Sequence, residues 1–198
     1  GYTRATVRPA PDDVERLLSK SHDKNGIIVV GPDPSGRVSS SAVTRLSEHL
    51  GWPVLADPAS QIRYDDTLTV IRHHDILLRS SVFRKQMCPD MAITIGGTTS
   101  SKPLAALLSS ISCVHIGGSG RLQDPWQSVE WTLCADLSPV AEMLGDTGRS
   151  RLENKWKHTW IQANQVVSQA IEETCLDHVW EGSVANTVVQ SLPARPYW

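Results

Sequence analysis

The chain has 198 residues, with 21 acidic and 19 basic side chains and a formal net charge of -2. That balance excludes the overall basic character expected of a nucleic-acid binder. No apolar run reaches the roughly 18 residues of a membrane span. At 40% hydrophobic and 20% charged residues, the composition is that of a globular protein, long enough for one α/β domain plus a helical appendage.

The opening stretch GYTRATVRPAPDD has no signal-peptide core, and residues 1–11 read as an extended lead-in. Asp12 is a candidate cap for a helix over residues 13–21, with Val14, Leu17 and Leu18 on one face. GIIVVG, residues 26–31, is a continuous apolar run of the kind a parallel sheet buries on both faces. After a loop to Gly36, a helix is expected to run to Leu50, with Val38, Ala42, Leu46 and Leu50 inward and Gly51 closing it. The loop has Walker-like glycine spacing but is not a phosphate loop. Arg37-Val38 stands where Lys-Ser/Thr is needed, Pro32 and Pro34 lack N–H donors, and Asp33 would repel phosphate.

A second strand is expected over 53–56, ended by Asp57-Pro58, and a helix over 71–86 with Ile76, Leu77 and Phe83 inward. The stretch MAITIGGTTSSKPLAALL, from residue 91, reads as a strand, a glycine pair, a hydroxyl run and a helix over 102–110. Ser100 or Ser101 would cap that helix, and Pro103 is tolerated in its first turn. Lys102 then sits at a helix N-terminus, where exposed N–H groups and the macrodipole attract anions. Strands over 112–116 and 130–135 and a short helix over 139–144 complete the alternation.

This spacing of strands and helices implies a three-layer, doubly wound, mainly parallel α/β sheet, with ligands beyond the carboxyl ends of the strands. That rule gathers residues 31–36, 57–63, 96–102 and 117–121 onto one edge. Arg63, Lys102 and Arg121 would give this edge a positive bias suited to carboxylates or phosphates.

Residues 145–150 read as a linker. A long helix follows over 152–176, with Trp156, Trp160, Ala163, Val167, Ala170 and Thr174 forming one amphipathic stripe. A last helix over 181–192 presents Val184, Val188 and Leu192. The expected organisation is a lead-in and helix over 1–25, an α/β domain over 26–145, and a helical connector over 146–198.

Cys113 and Cys134 fall in strand-like runs as small hydrophobes, and the four cysteines form no CxxC pair. The reading is a reduced, cytoplasmic protein. His73 and His74 point about 100° apart on a helix, which makes them poor co-ligands and places them on a solvated face. No nucleophile elbow, HExxH or cysteine–histidine motif is present.

GIIVVG, LGWPVLADPASQIR (50–63), HDILLR (74–79), IGGTTSSKPL (95–104) and the later Asp124-Pro125, in this order, resemble the central domain of the MenD family. The tail, with Trp156 and Trp160, then Glu181-Gly182 and Leu192-Pro193, is similar to the family's connector into a third domain. MenD enzymes are thiamine-diphosphate-dependent synthases of menaquinone biosynthesis. They decarboxylate 2-oxoglutarate and add the succinyl unit to isochorismate.

The resemblance implies a parent of three α/β domains. The outer two bind thiamine diphosphate and Mg2+ at a dimer interface, so this chain alone would be inactive, with no catalytic, cofactor or metal residues of its own. Gly145-Asp146-Thr147 is not the family's GDG motif. The implied partners are the N- and C-terminal catalytic domains of the same parent, itself a homodimer or homotetramer, and the anionic substrates 2-oxoglutarate and isochorismate. The family's SK lysine contacts substrate, which carries over to Lys102, with Ser100, Ser101 and Arg63 as accompanying substrate-binding candidates. Some members have Lys-Arg where this chain has Lys102-Pro103, one cation fewer. Two other readings compete: a module binding FAD, NAD or ADP, as in related thiamine enzymes, and a purely structural domain using the tryptophan stripe for oligomer contacts.

Overall fold

A computed structural model describes residues 5–65, 67–118, 124–145, 155–177 and 180–191. Arg121, the linker beyond Gly145, Leu192 and the terminal LPARPYW lie outside the described residues.

Five strands form one parallel sheet: β1 (Gly26–Val30), β2 (Val54–Ala56), β3 (Met91–Ile95), β4 (Ser112–Ile116) and β5 (Val129–Leu133), in the order β2-β1-β3-β4-β5. Every pairing is parallel, with Ile28 opposite Val54 and Ile93, and Ile93 opposite Val114. The strand order reverses between β1 and β3, which is where such sheets open a crevice. The three-layer, doubly wound architecture expected from the alternation is therefore present.

Strand alternation divides the core. Ile28, Val30, Ile93 and Val114 face one side, where they pack with α1 (Pro11–Ser21), α2 (Ser40–Leu50) and α6 (Leu137–Gly145). Ile27, Val29, Ala92 and Cys113 face the other. There they meet α3 (His74–Arg79), α4 (Ser81–Gln86), α5 (Lys102–Leu108) and the start of α7 (Lys155–Asp177). A further helix, α8 (Glu181–Ser191), follows.

Several local expectations are corrected. The first helix begins at Pro11 with Ala10 as N-cap, because proline's missing N–H costs nothing there, so Asp12 lies within the first turn. Val38 precedes α2, which starts at Ser40. The helix expected over 71–86 is two helices broken at Ser80. The Ser80 hydroxyl accepts from the Phe83 amide and starts α4, so the facing set changes register. Leu77 and Leu78 are buried, and Ile76 is exposed. Cys134 lies just past β5 and is exposed, whereas Cys113 is buried. His74, expected on a solvated face, is only 2% exposed, with Nδ1 2.9 Å from the Ile71 carbonyl. In the α7 stripe Trp160 is buried and Trp156, Ala163 and Val167 are partly covered, but Ala170 and Thr174 are exposed.

Candidate functional site at the carboxyl edge of the sheet

The loops leaving β1 and β3 are joined backbone to backbone. The Gly31 amide donates to Ile95 O at 2.8 Å, and the Gly97 amide donates to Pro32 O at 2.8 Å. A Cβ on Gly31 would stand 1.7 Å from Gly97 O, so no larger residue fits between these loops. Gly96 turns the chain at φ +77°, a left-handed conformation open to glycine.

Beside this junction lies a cleft of about 390 Å³, bordered by Asp33, Arg37, Gly97, His115, Gly118 and Asp136. Asp33 is buried, and its carboxylate accepts from the Ser35 amide and hydroxyl and the Val38 amide (3.2, 2.6 and 2.7 Å). Burial pushes this carboxyl up, but those bonds outweigh it and hold it below the ordinary aspartate value. Asp33 therefore organises its own loop.

Across the cleft, Asp136 pairs with Arg37 at 3.1 Å. It also exchanges two hydrogen bonds with Val7. The Val7 amide donates to Oδ2 and the Asp136 amide donates to Val7 O, both at 2.9 Å. The extended lead-in is thus fastened at the cleft's rim. His115 is buried on β4, with Nδ1 3.1 Å from Thr94 Oγ1, and desolvation lowers its pKa.

The hydroxyl run before α5 is held by two carboxylates from elsewhere in the chain. Asp57 Oδ2 accepts from the Ser100 amide and hydroxyl, both at 2.8 Å, and from Thr99 Oγ1 at 3.3 Å. Asp57 Oδ1 accepts from the Ala59 amide at 3.0 Å. Burial raises the Asp57 carboxyl, and the bonds from Ser100, Ala59 and Thr99 more than offset it, leaving the pKa lowered. Asp75 Oδ1 accepts from Ser101 Oγ at 2.7 Å, the main cause of its own lowered pKa, and Oδ2 accepts from Arg79 at 3.0 Å. Ser101, not Ser100, is the N-cap of α5, accepting from the Leu104 amide at 3.3 Å.

The candidates from the sequence separate here. Ser100 and Ser101 share the carboxylate-bound loop, and their hydroxyls donate to Asp57 and Asp75. Arg63 turns into the protein: it donates to Ala56 O at 2.7 Å and to Arg72 O, tying the end of β2 to the following loop. Lys102, the first residue of α5, is exposed and has no hydrogen-bond or ion-pair partner among the described residues. Sequence reading missed the roles of Asp57, Asp75, Arg37, His115 and Asp136. Asp57-Pro58 was legible only as a strand ending, because its partners lie 42 and 43 positions away.

The donor set does not suit a magnesium–diphosphate group. Asp33 and Asp136 are both engaged by protein donors. Among the described residues no three His, Cys, Asp or Glu side chains are grouped to hold a metal ion. No helix among them is long and apolar enough to cross a membrane.

The parallel sheet, its reversal between β1 and β3, and the tied loops at its carboxyl edge define a doubly wound α/β domain. A family model described as "Middle domain of thiamine pyrophosphate" matches residues 2–196, and the chain belongs to that family of middle domains. Among curated proteins it is similar to the 2-succinyl-5-enolpyruvyl-6-hydroxy-3-cyclohexene-1-carboxylate synthase of Haloarcula marismortui, 30% identical over 200 residues, covering 95% of this chain and 32% of that protein. The enzyme of the same name from Geobacillus kaustophilus is 32% identical over 205 residues, covering 94% and 34%. That of Myxococcus xanthus is 29% identical over 188 residues, covering 92% and 31%. The resemblance to a MenD middle domain thus holds over nearly the whole chain, which spans about a third of the length of these relatives.

Proposed function

We propose that this chain is the central domain of a thiamine-diphosphate-dependent synthase that decarboxylates 2-oxoglutarate and adds the succinyl unit to isochorismate. In this reading the cofactor and Mg2+ are held by the two other domains of a dimeric or tetrameric parent. The central domain spaces those domains and lends Lys102 to an anionic substrate. When bound, the cofactor supplies the carbanion chemistry; this chain's part is to position charge.

One observation carries the reading. Lys102 is exposed at the first turn of α5, on the ligand edge of the sheet, while the loop before it is held rigidly by carboxylates. A lysine there is a point charge with three donors, suited to a carboxylate arriving from outside the domain. The matched relatives are named for a succinyl cyclohexene carboxylate product, which supports a carboxylate-bearing ligand at this edge.

Replacing Lys102 with alanine in the full-length enzyme should raise KM for a carboxylate substrate roughly tenfold, the worth of one charge-assisted contact. Affinity for thiamine diphosphate should not change. Unaltered kinetics would return Lys102 to the solvated surface. The 198-residue chain, given thiamine diphosphate, Mg2+ and both substrates, should form no carboligation product; turnover would overturn the non-catalytic assignment.

The cleft beside Gly31 favours a second reading, a nucleotide-binding module. Against it, the Ser35 and Val38 amides that would cradle a phosphate are bonded to Asp33. Calorimetric titration with FAD, NAD and ADP separates the two. Binding of any of them would demote the synthase reading to a shared fold.

A further inference from the structure

We infer that Asp57 and Asp75 are positioning residues: together they hold the Thr99–Ser100–Ser101 loop so that Lys102 is presented to substrate. The inference rests on the proposed role of Lys102 and extends it to two residues on other elements.

The geometry is that of a two-point clamp. Asp57 follows β2, and Asp75 lies in the first turn of α3. Neither belongs to the β3–α5 unit that carries the lysine. Asp57 takes the backbone and hydroxyl of Ser100 and the hydroxyl of Thr99, and Asp75 takes the hydroxyl of Ser101. Three successive residues are therefore bonded to carboxylates, and the next residue is Lys102.

Each carboxylate is itself fixed from its far oxygen, Asp57 by the Ala59 amide and Asp75 by Arg79. Charge-assisted hydrogen bonds of this length are the stronger class. Without them the loop retains its β3 connection, the N-cap bond of Ser101 and the Gly97 contact. The lysine stem is long and flexible, so the backbone at Ser101 decides where its ammonium can reach. A loop that wanders by about 1 Å can forfeit much of an interaction that depends on placement.

The clamp also accounts for what both serine hydroxyls bind. Their hydroxyls are committed to Asp57 and Asp75 and position the loop, while the exposed Lys102 keeps its ammonium for a ligand.

The test uses the full-length enzyme with Asp75→Ala, Ser101→Ala, their double variant, Asp57→Asn, Ser100→Ala and Lys102→Ala. Asp75 and Ser100 are accessible, so their variants report even if buried Asp57→Asn misfolds. Two readouts are taken: hydrogen exchange over residues 98–104, where every residue but Pro103 has an amide hydrogen, and KM against kcat for the carboxylate substrates.

The expected result for Asp75→Ala is faster exchange over 98–104 and a KM raised roughly fivefold to tenfold, one charge-assisted hydrogen bond's worth, with kcat within about twofold. In the Ser101→Ala background, Asp75→Ala should add nothing further, as pairwise coupling requires. Unchanged exchange over 98–104 would overturn the clamp. So would faster exchange without a KM change in an enzyme whose Lys102→Ala variant does raise KM. A silent Lys102→Ala would overturn the role of the lysine itself, and that outcome is recognised by the lysine variant alone.

Discussion

The carboxyl edge of the sheet and the C-terminal helices use their side chains in opposite ways. At the edge, polar side chains reach across the chain: Asp57 to Ser100, Asp75 to Ser101, Asp136 to Val7. In α7 and α8 most side-chain bonds are local, as in Thr174 to Ala170 O and Thr187 to Ser183 O. Exceptions cluster in the first half of α7, where Trp156 donates to Gly26 O at 2.8 Å and Asn164 accepts from the His73 amide at 2.9 Å.

Length explains the contrast. A strand of five residues spans about 17 Å, while the 23 residues of α7 span about 35 Å. The sheet can cover only the start of such a helix. Trp160 lies in that covered part, edge-on to Phe83 at 4.9 Å and to Trp156 at 6.1 Å. Further along, Val166, Val184, Val188 and Val189 are exposed. One region is thus over-determined by contacts, and the other is amphipathic in pattern with the far end of its stripe, Ala170 and Thr174, uncovered.

Substitutions can break this contrast. The largest effect is expected for Gly31→Ala. The added methyl would collide with the backbone oxygen of Gly97, which no rotamer change relieves. A loss of about 4 kcal/mol or more, or failure to fold, is expected in chemical denaturation. The nearest atoms to a methyl in its counterpart Gly182→Ala are those at the far end of the Trp180 side chain, which is half exposed. This substitution should be neutral or stabilising, since alanine is the better helix former by about 1 kcal/mol. Equal losses at both sites would dissolve the distinction.

Next is Trp160→Ala, where a fully buried indole leaves a cavity. About 3–5 kcal/mol is expected, read from the same denaturation curves. An intermediate effect is expected from pH. His74 and His115 are buried and desolvation lowers their pKa values, so both stay neutral when folded. The unfolded chain then binds more protons below its histidine pKa, so stability is full above about pH 6.5 and falls as the pH drops below it. The lowered Asp33 and Asp57 carboxyls add a further loss only at more acid pH. A melting temperature flat from pH 8 to about pH 5 would refute the buried neutral histidines. The smallest change is expected for Val184→Ser and Val188→Ser, within about 0.5 kcal/mol for exposed positions. A larger loss would mean that α8 is packed against part of the chain beyond the described residues.

Much of the fold was legible because its signals are local. Strand β1 is a run of five apolar residues, all buried, and Gly51 ends α2 in a left-handed conformation at φ +68°. The break at Ser80 was not, because the apolar spacing of residues 71–86 runs through it and the capping serine competes with helix continuation only once α4 has its own partner in Trp160. For the candidate site, Lys102 and the two serines could be placed on the ligand edge from the order of strand, glycines and helix. The inward use of Arg63 could not. It depends on Ala56 O and Arg72 O being brought within reach by the turn of the chain after β2.

By itself, the sequence determined the alternation of strands and helices, the parallel sheet and the glycine-rich edge, because periodicity, capping and left-handed turns are set by near neighbours. Only the tertiary structure decided which carboxylates hold the hydroxyl run, that His74 is buried, and how far along α7 the tryptophan stripe is covered. Those outcomes depend on hydrogen bonds and packing between elements far apart in the chain, and on the mismatch in length between a short strand and a long helix.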